Sequence, residues 1–237
     1  MKPRTPRLHA FVLAFAVLAG TLPALAFQDT HPVTGRKIAG VMGMSGADWL
    51  VRPEREAEEN PEGALDAIGL KPGMNAADIG AGVGYMSLRM AKRIVPGGKV
   101  WANDIQPEML VKLRENAARM GISNVDTVLG TASDPKLPAN TMDLVLLVDV
   151  YHEFSEPQKM VRRIRETLKP DGRLVLLEYR KEDPNVPIRL EHKMTVEEVA
   201  KELGAEGFAM SQVIETLPRQ HILILTKAKA AAAGAGR

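Results

Sequence analysis

The chain has 237 residues, 45% of them hydrophobic and 25% charged, with a formal net charge of +2. That length and balance fit one domain with a sizeable core and exclude a disordered chain. With no cysteine, disulfides, a lipidated N-terminal cysteine, thiolate metal sites and cysteine nucleophiles are excluded too.

Residues 1–26 read as a separate unit. Lys2, Arg4 and Arg7 make a basic start, residues 8–20 an apolar run broken by His9, and Ala24-Leu25-Ala26 a small-x-small cleavage site. This is the order of a secretory signal peptide, and the run is short for a bilayer span. We expect export to the periplasm with cleavage after Ala26; the alternative is an uncleaved anchor. Loss of the segment removes three positive charges and no acidic ones, so the formal charge falls from +2 to −1. The mature chain then has no basic excess for nucleic acid, and no stable membrane insertion is expected of it.

Residues 27–61 form an N-terminal extension. It is rich in glycine but carries Met42, Met44, Trp49 and Leu50. A pure linker seldom carries tryptophan, so a lid over a ligand is expected, with a flexible spacer as the alternative. Residues 54–68 have a helical pattern interrupted at Asn60-Pro61, with Ala57, Ala64, Leu65 and Ile68 facing inward. Leu70-Lys71-Pro72-Gly73 is a turn into a first strand over 74–77.

Next comes Asp78-Ile79-Gly80-Ala81-Gly82-Val83-Gly84-Tyr85. Met86, Met90 and Ile94 then recur at helical spacing, so the glycines sit on a strand-to-helix turn. Glycine there permits positive φ and close approach of a ligand, which the positive end of the next helix faces. The spacing is G-x-G-x-G, with Tyr85 where a dinucleotide-binding turn needs its last glycine. Asp78 would repel a pyrophosphate and suits a cationic ligand. These residues resemble the first motif, D-x-G-x-G-x-G, of the class I S-adenosylmethionine-dependent methyltransferases.

A second strand over 100–104 ends in Asp104, whose two carboxylate oxygens can accept bonds from ribose hydroxyls; the alternative is a helix-capping role. Pro107, Leu110, Leu113, Ala117 and Met120, closed by Gly121, predict an amphipathic helix. Residues 125–129 are a third strand. The following turn reads Gly130-Thr131-Ala132-Ser133-Asp134, where the resembled family usually has Gly-Asp-Ala. That leaves Thr131, Ala132 and Asp134 as candidates for the adenine. Residues 142–149 are a continuous apolar run ending in Asp149, as in a central strand covered on both faces.

Ser155 with Gln158 predicts a capping box ahead of Met160, Val161, Ile164 and Leu168. Lys169-Pro170-Asp171-Gly172 reads as a turn and 173–178 as the fifth strand. Leu168-Lys169-Pro170-Asp171-Gly172-Arg173-Leu174 is similar to the family's late L-K-P-G-G-x-L motif. Thr195 with Glu198 caps another helix. Strands near 208–215 and 221–226 end a domain spanning 62–227, and 228–237 is a disordered alanine-rich tail.

This alternation of strand and helix predicts an α/β doubly wound sheet, with its ligand across the carboxyl ends of the strands. The resemblance implies more: a mostly parallel sheet of seven strands ordered 3-2-1-4-5-7-6 with the last antiparallel, and S-adenosyl-L-methionine as cofactor. It places Asp78, Gly80, Ala81, Gly82, Gly84 and Tyr85 around that cofactor, with Asp104, Ile105, Thr131, Ala132 and Asp149.

Asp149-Val150-Tyr151-His152-Glu153-Phe154 clusters ionisable groups after an apolar strand. His152 is a candidate general base, Glu153 a group to orient it or bind a cationic acceptor, and Tyr151 a wall for the methyl group. The alternative is that His152 and Glu153 cap the next helix. Tyr179, Arg180, His192 and Lys193 are further acceptor-side candidates, Arg180 and Lys193 for an anionic substrate. His221 reads as a satisfied core or edge histidine. The five histidines are scattered, with no H-x-x-x-H or H-E-x-x-H spacing, so no metal is expected. The resulting expectation is methyl transfer to a small-molecule acceptor, at oxygen. The alternatives are a non-catalytic nucleoside- or metabolite-binding domain and a nicotinamide oxidoreductase, the latter disfavoured by Tyr85.

Overall fold

The computed structural model describes residues 29–229; the expected signal segment and all but the first two residues of the alanine-rich tail lie outside them. The strands are β1 (Asn75–Ile79), β2 (Lys99–Asp104), β3 (Val125–Leu129), β4 (Met142–Val148), β5 (Leu168–Arg180), β6 (Lys193–Met194), β7 (Phe208–Ile214) and β8 (Gln220–Lys227). They form one sheet in the order β3-β2-β1-β4-β5-β8-β7, with the two-residue β6 paired to β5 off this path. Without β6, this is the seven-stranded order that the resemblance implies. β1 to β5 run parallel, and β8 is antiparallel to both its neighbours.

The helices are α1 (Arg55–Glu59), α2 (Pro61–Ile68), α3 (Ser87–Arg93), α4 (Pro107–Arg119), α5 (Pro157–Thr167) and α6 (Val196–Ala205). The apolar run of β4 is explained by helices on both sides. Val145 and Leu147 pack with Ile164 of α5 and Leu203 of α6. Leu144 and Leu146 pack in a separate cluster with Ile68 of α2 and Met90 of α3. Successive residues of a strand point to opposite faces, so both faces of β4 must be apolar. No helix among the described residues is long and apolar enough to cross a membrane.

Local signals held unevenly. α6 opens on the expected capping box, Thr195 Oγ1 accepting from the Glu198 N–H at 2.9 Å and Glu198 Oε2 from the Thr195 N–H at 3.0 Å. The box expected at Ser155 and Gln158 does not form. Pro157 takes the first helical position, which moves the N-cap to Glu156, and Gln158 donates to Glu206 Oε1 at 2.9 Å instead. Met120 is half exposed rather than part of the core. Ala57 is exposed as well, while Arg55 and Glu59 of the same helix are buried. The 169–172 turn lies within β5: Met142 pairs with Leu168 but Leu144 with Arg173. Five steps along β5 against two along β4 leave the extra residues as a bulge at the strand's start.

Candidate active site

A cavity of about 340 Å³ opens at the carboxyl ends of the central strands. Its β1–β2 side is walled by Gly80, Gly82, Asp104 and Ile105, with Thr131 and Ala132 after β3. The glycine turn is stitched to β2, since the Gly80 and Ala81 N–H groups both donate to the Asn103 carbonyl at 2.9 Å. Gly80 has φ +73, and a Cβ there would lie 2.4 Å from Val150 Cγ2, so a side chain is excluded twice over. Gly84 answers a different need. A Cβ at that position would meet Leu113 Cγ at 2.8 Å, so this glycine lets α4 pack closely and does not face the cavity.

Asp104 Oδ2 accepts from the Gly82 N–H and Oδ1 from the Gln106 N–H, both at 2.9 Å. The carboxylate thus shapes the turn, while each oxygen keeps a second lone pair. Burial pushes its pKa up, and the backbone donors oppose that. Asp78 does not line the cavity. It is 2% exposed and accepts from Ser87 Oγ at 2.5 Å. Burial raises its pKa to about 6, with the Ser87 bond opposing. Tyr85 is also turned away, held between the guanidinium groups of Arg55 and Arg89 at 4.1 and 4.0 Å from its ring centroid. Of the expected cofactor residues, the structure brings Gly80, Gly82, Asp104, Ile105, Thr131, Ala132 and Asp149 to the cavity. Asp78, Ala81, Gly84 and Tyr85 stand behind its wall, as does Asp134.

The N-terminal extension supplies Val41, Met42, Trp49 and Leu50 to the cavity wall. It is pinned by Gln106 Nε2 donating to the Met42 carbonyl at 2.9 Å and by the Ala39 N–H donating to the His152 carbonyl at 3.0 Å.

Asp149, at the end of β4, has φ +50. Its Oδ2 accepts from Gln220 Nε2 at 2.7 Å, while its Oδ1 is buried without a partner. Burial raises its pKa well above the usual carboxylate range, helped by the nearby Glu59 and Glu178. Beside it, Arg55 Nε donates to Glu59 Oε2 at 2.6 Å, and the Tyr179 hydroxyl donates to Glu59 Oε1 at 2.8 Å. Both Arg55 and Tyr179 line the cavity. Sequence reasoning missed Arg55 and Glu59; their i,i+4 spacing in a charged segment was the available signal.

The far side holds His152, 2% exposed, in a 3₁₀ turn over Tyr151–Glu153. Its Nδ1 lies 2.6 Å from Glu178 Oε2. Glu178 also accepts from the Tyr151 N–H at 3.1 Å. A carboxylate only accepts, which assigns that ring proton to Nδ1. Nε2 is then left with its lone pair, 3.2 Å from His192 Nδ1. Burial lowers the pKa of His192, and His152 adds to that. Burial also raises Glu153 to about 7, opposed by His152.

Other expectations separate here. Tyr151 is fully buried behind the wall, its hydroxyl 3.4 Å from His31 Nε2 and its ring edge-on to Phe154, so it does not wall the cavity. Arg180 is committed to Glu215 Oε2 at 2.7 Å and to the Leu217 and Pro218 carbonyls. Lys193 donates to the Asp183 carbonyl at 3.1 Å. Neither reaches the cavity. His221 is satisfied by Glu215 at 2.6 Å and Glu182 at 3.0 Å.

Residues 70–224 match the family model described as a methyltransferase domain. The chain belongs to that family. It is a class I S-adenosylmethionine-dependent methyltransferase, and S-adenosyl-L-methionine is its cofactor. The crystal structure of a SAM-dependent methyltransferase from Aquifex aeolicus is similar, with a TM-score of 0.74 and 28% identity, covering 78% of this chain and 98% of that one. Nocamycin O-methyltransferase of Saccharothrix syringae is 29% identical over 140 residues, 59% of this chain and 48% of its own length. The ubiquinone/menaquinone biosynthesis C-methyltransferase UbiE of Escherichia fergusonii is 31% identical over 118 residues, 49% of this chain and 47% of its own. The chain thus spans about half the length of these curated relatives. The cavity of this methyltransferase fits the cofactor: a buried carboxylate oxygen without a partner suits its cationic end, and the spare lone pairs of Asp104 suit a pair of hydroxyls.

Proposed function

We propose that this methyltransferase acts on a small molecule and methylates it at oxygen. Asp104 and the Gly80–Gly82 backbone would hold the nucleoside, Thr131 and Ala132 would flank its base, and Asp149 would face the positive charge. The cofactor supplies a methyl group already activated by its sulfonium. The chain's own work is alignment of the acceptor, exclusion of water and handling of the acceptor's proton. Met42, Trp49 and Leu50 of the extension serve as the lid that excludes water. The observation that carries this reading is His152, buried, held in one tautomer by Glu178, and presenting Nε2 to an otherwise largely apolar cavity. Transfer to oxygen is favoured because a hydroxyl acceptor gives this polar cluster a proton to manage; the similar proteins include both an O-methyltransferase and a C-methyltransferase.

The test is calorimetry with S-adenosylhomocysteine, followed by a metabolite screen that reads its release. His152→Ala is expected to keep cofactor affinity and to lose roughly 10²–10⁴-fold in turnover. Binding of NAD in place of S-adenosylmethionine would overturn the reading. We also propose that the protein works in the periplasm. The basic, apolar, Ala-x-Ala order of residues 1–26 supports this. The mature protein should begin at Phe27, and a product still starting at Met1 would refute export with cleavage.

A further inference from the structure

We propose that His152 Nε2, His192 Nδ1 and a carboxylate oxygen of Glu153 bind a divalent transition-metal ion at the acceptor end of the cavity. One donor atom from each of these residues lies within 4.8 Å of the others. The two ring nitrogens are 3.2 Å apart, and His192 Nδ1 is 4.0 Å from Glu153 Oε1. Two nitrogens sharing a tetrahedral ion at ~2.0–2.1 Å stand about 3.3 Å apart, so the imidazoles are already at the spacing of common ligands.

The surroundings point the same way. Glu178 takes the Nδ1 proton of His152, the carboxylate–histidine support that fixes metal-ligating imidazoles and raises their basicity. Nε2 therefore offers a lone pair, and Glu153 in its ionised form offers carboxylate acceptors. Among the described residues, the one group within ion-pair distance of Glu153 is His192. Glu153 is largely buried beside two converging imidazoles with no lysine or arginine within ion-pair distance, although Arg189 lines the cavity near His192.

The fold builds this meeting on purpose-shaped elements. His152 and Glu153 share the 3₁₀ turn after β4. His192 ends a second such turn, Leu190–His192, that runs into β6. β6 pairs with β5 through Tyr179 and Lys193, next to Glu178. The extra two-residue strand thus fastens His192 to the same strand that orients His152. All three donors line the cavity, so the remaining coordination positions open onto the space for the acceptor, as in catalytic sites and unlike closed structural ones. The consequence for catalysis rests on the methyl-transfer reading. An acceptor hydroxyl at the ion's open side would ionise more readily, its proton leaving to solvent before the lid closes, and the O–C bond would then form as the S–C bond breaks. The ion then takes the place of direct proton capture by His152.

The experiment uses untagged full-length protein, stripped with chelator and titrated with Zn²⁺, with metal content read by mass spectrometry and Co²⁺ substitution read in the visible spectrum. One ion per chain is expected, with the ligand-field bands of a low-symmetry nitrogen–oxygen site. His192→Ala and the milder His192→Asn should lose that binding, and Glu178→Gln should weaken it by roughly 10–100-fold. Thermal melting shows that the variants are folded. Absence of stoichiometric binding, or equal binding by a folded His192 variant, overturns the proposal and leaves only an imidazole–imidazole hydrogen bond. S-adenosylhomocysteine calorimetry on the stripped protein judges the methyl-transfer reading separately, because it reads cofactor binding, which is assigned to Asp104 and the Gly80–Gly82 backbone and to none of the metal donors.

Discussion

Asp78→Asn tests the electrostatics of the glycine turn. Asp78 is buried, and its pKa in the folded chain is about 6 against an ordinary 3.8. The folded state therefore holds this proton more tightly than the unfolded chain does. Its contribution favours folding at low pH and is lost as pH rises from about 4 to about 6, the penalty then staying constant. A shift of about two units at ~1.36 kcal/mol each makes that penalty roughly 3 kcal/mol at neutral pH, of which roughly 2 develops between pH 4 and 7. Asparagine cannot ionise. It can still accept from Ser87 Oγ, but its NH₂ group is left without an evident partner, which costs about 1–3 kcal/mol at every pH. The two effects nearly cancel at pH 7, so the informative quantity is the pH dependence. Urea unfolding of both proteins at pH 4, 5, 6 and 7 should show the variant gaining roughly 2 kcal/mol on wild type across the range. Groups not coupled to Asp78 cancel in that difference; Asp104, whose charge helps raise Asp78, adds a smaller change of its own. A difference that stays flat with pH, or moves in favour of wild type, would refute a raised Asp78.

Gly80→Ala should lower S-adenosylhomocysteine affinity more than tenfold by calorimetry, because a Cβ 2.4 Å from Val150 Cγ2 at φ +73 must displace the wall of the cavity; wild-type affinity would contradict this. Asp104→Ala should lower both affinity and melting temperature, because the Gly82 and Gln106 N–H groups each lose a charged acceptor worth about 1.5–3 kcal/mol. An affinity loss at unchanged melting temperature would mean that Asp104 serves the ligand alone. Asp149 has a raised pKa in the ligand-free protein. A cationic ligand favours its ionised form, so cofactor binding should release protons at pH values where Asp149 is still partly protonated. Calorimetry in two buffers of different ionisation enthalpy measures this, and equal heats in both would refute it.

Much of the fold was legible in the chain because short-range physics writes it there. The helical spacing of Met86, Met90 and Ile94, the proline opening α4 and the unbroken apolarity of β4 are each the imprint of one element on its own residues. The glycine turn and Asp104 were legible for the same reason, since a backbone bend and a strand end need particular residues at particular offsets. Ser155 and Gln158 show the limit even there: Pro157, between them, moved the helix start by one residue. The acceptor side was legible only in part: of the residues expected there, His152, Glu153, Tyr179 and His192 line the cavity, whereas Tyr151, Arg180 and Lys193 do not. Tyr151 and His152 are neighbours, yet one faces the core and the other the cavity. In a 3₁₀ turn adjacent residues point about a third of a circle apart, and the strand before it sets the phase. His192 stands 40 residues beyond His152 in the chain, and it arrives only because β6 adds to β5. Arg55 and Glu59 carry no such imprint, because their burial depends on Asp149 and Tyr179, which the carboxyl ends of β4 and β5 bring to them. Local order follows from neighbours along the chain, whereas these meetings follow from how a twisted sheet and its crossovers bring distant strand ends together, and that is decided by the packing of the whole domain.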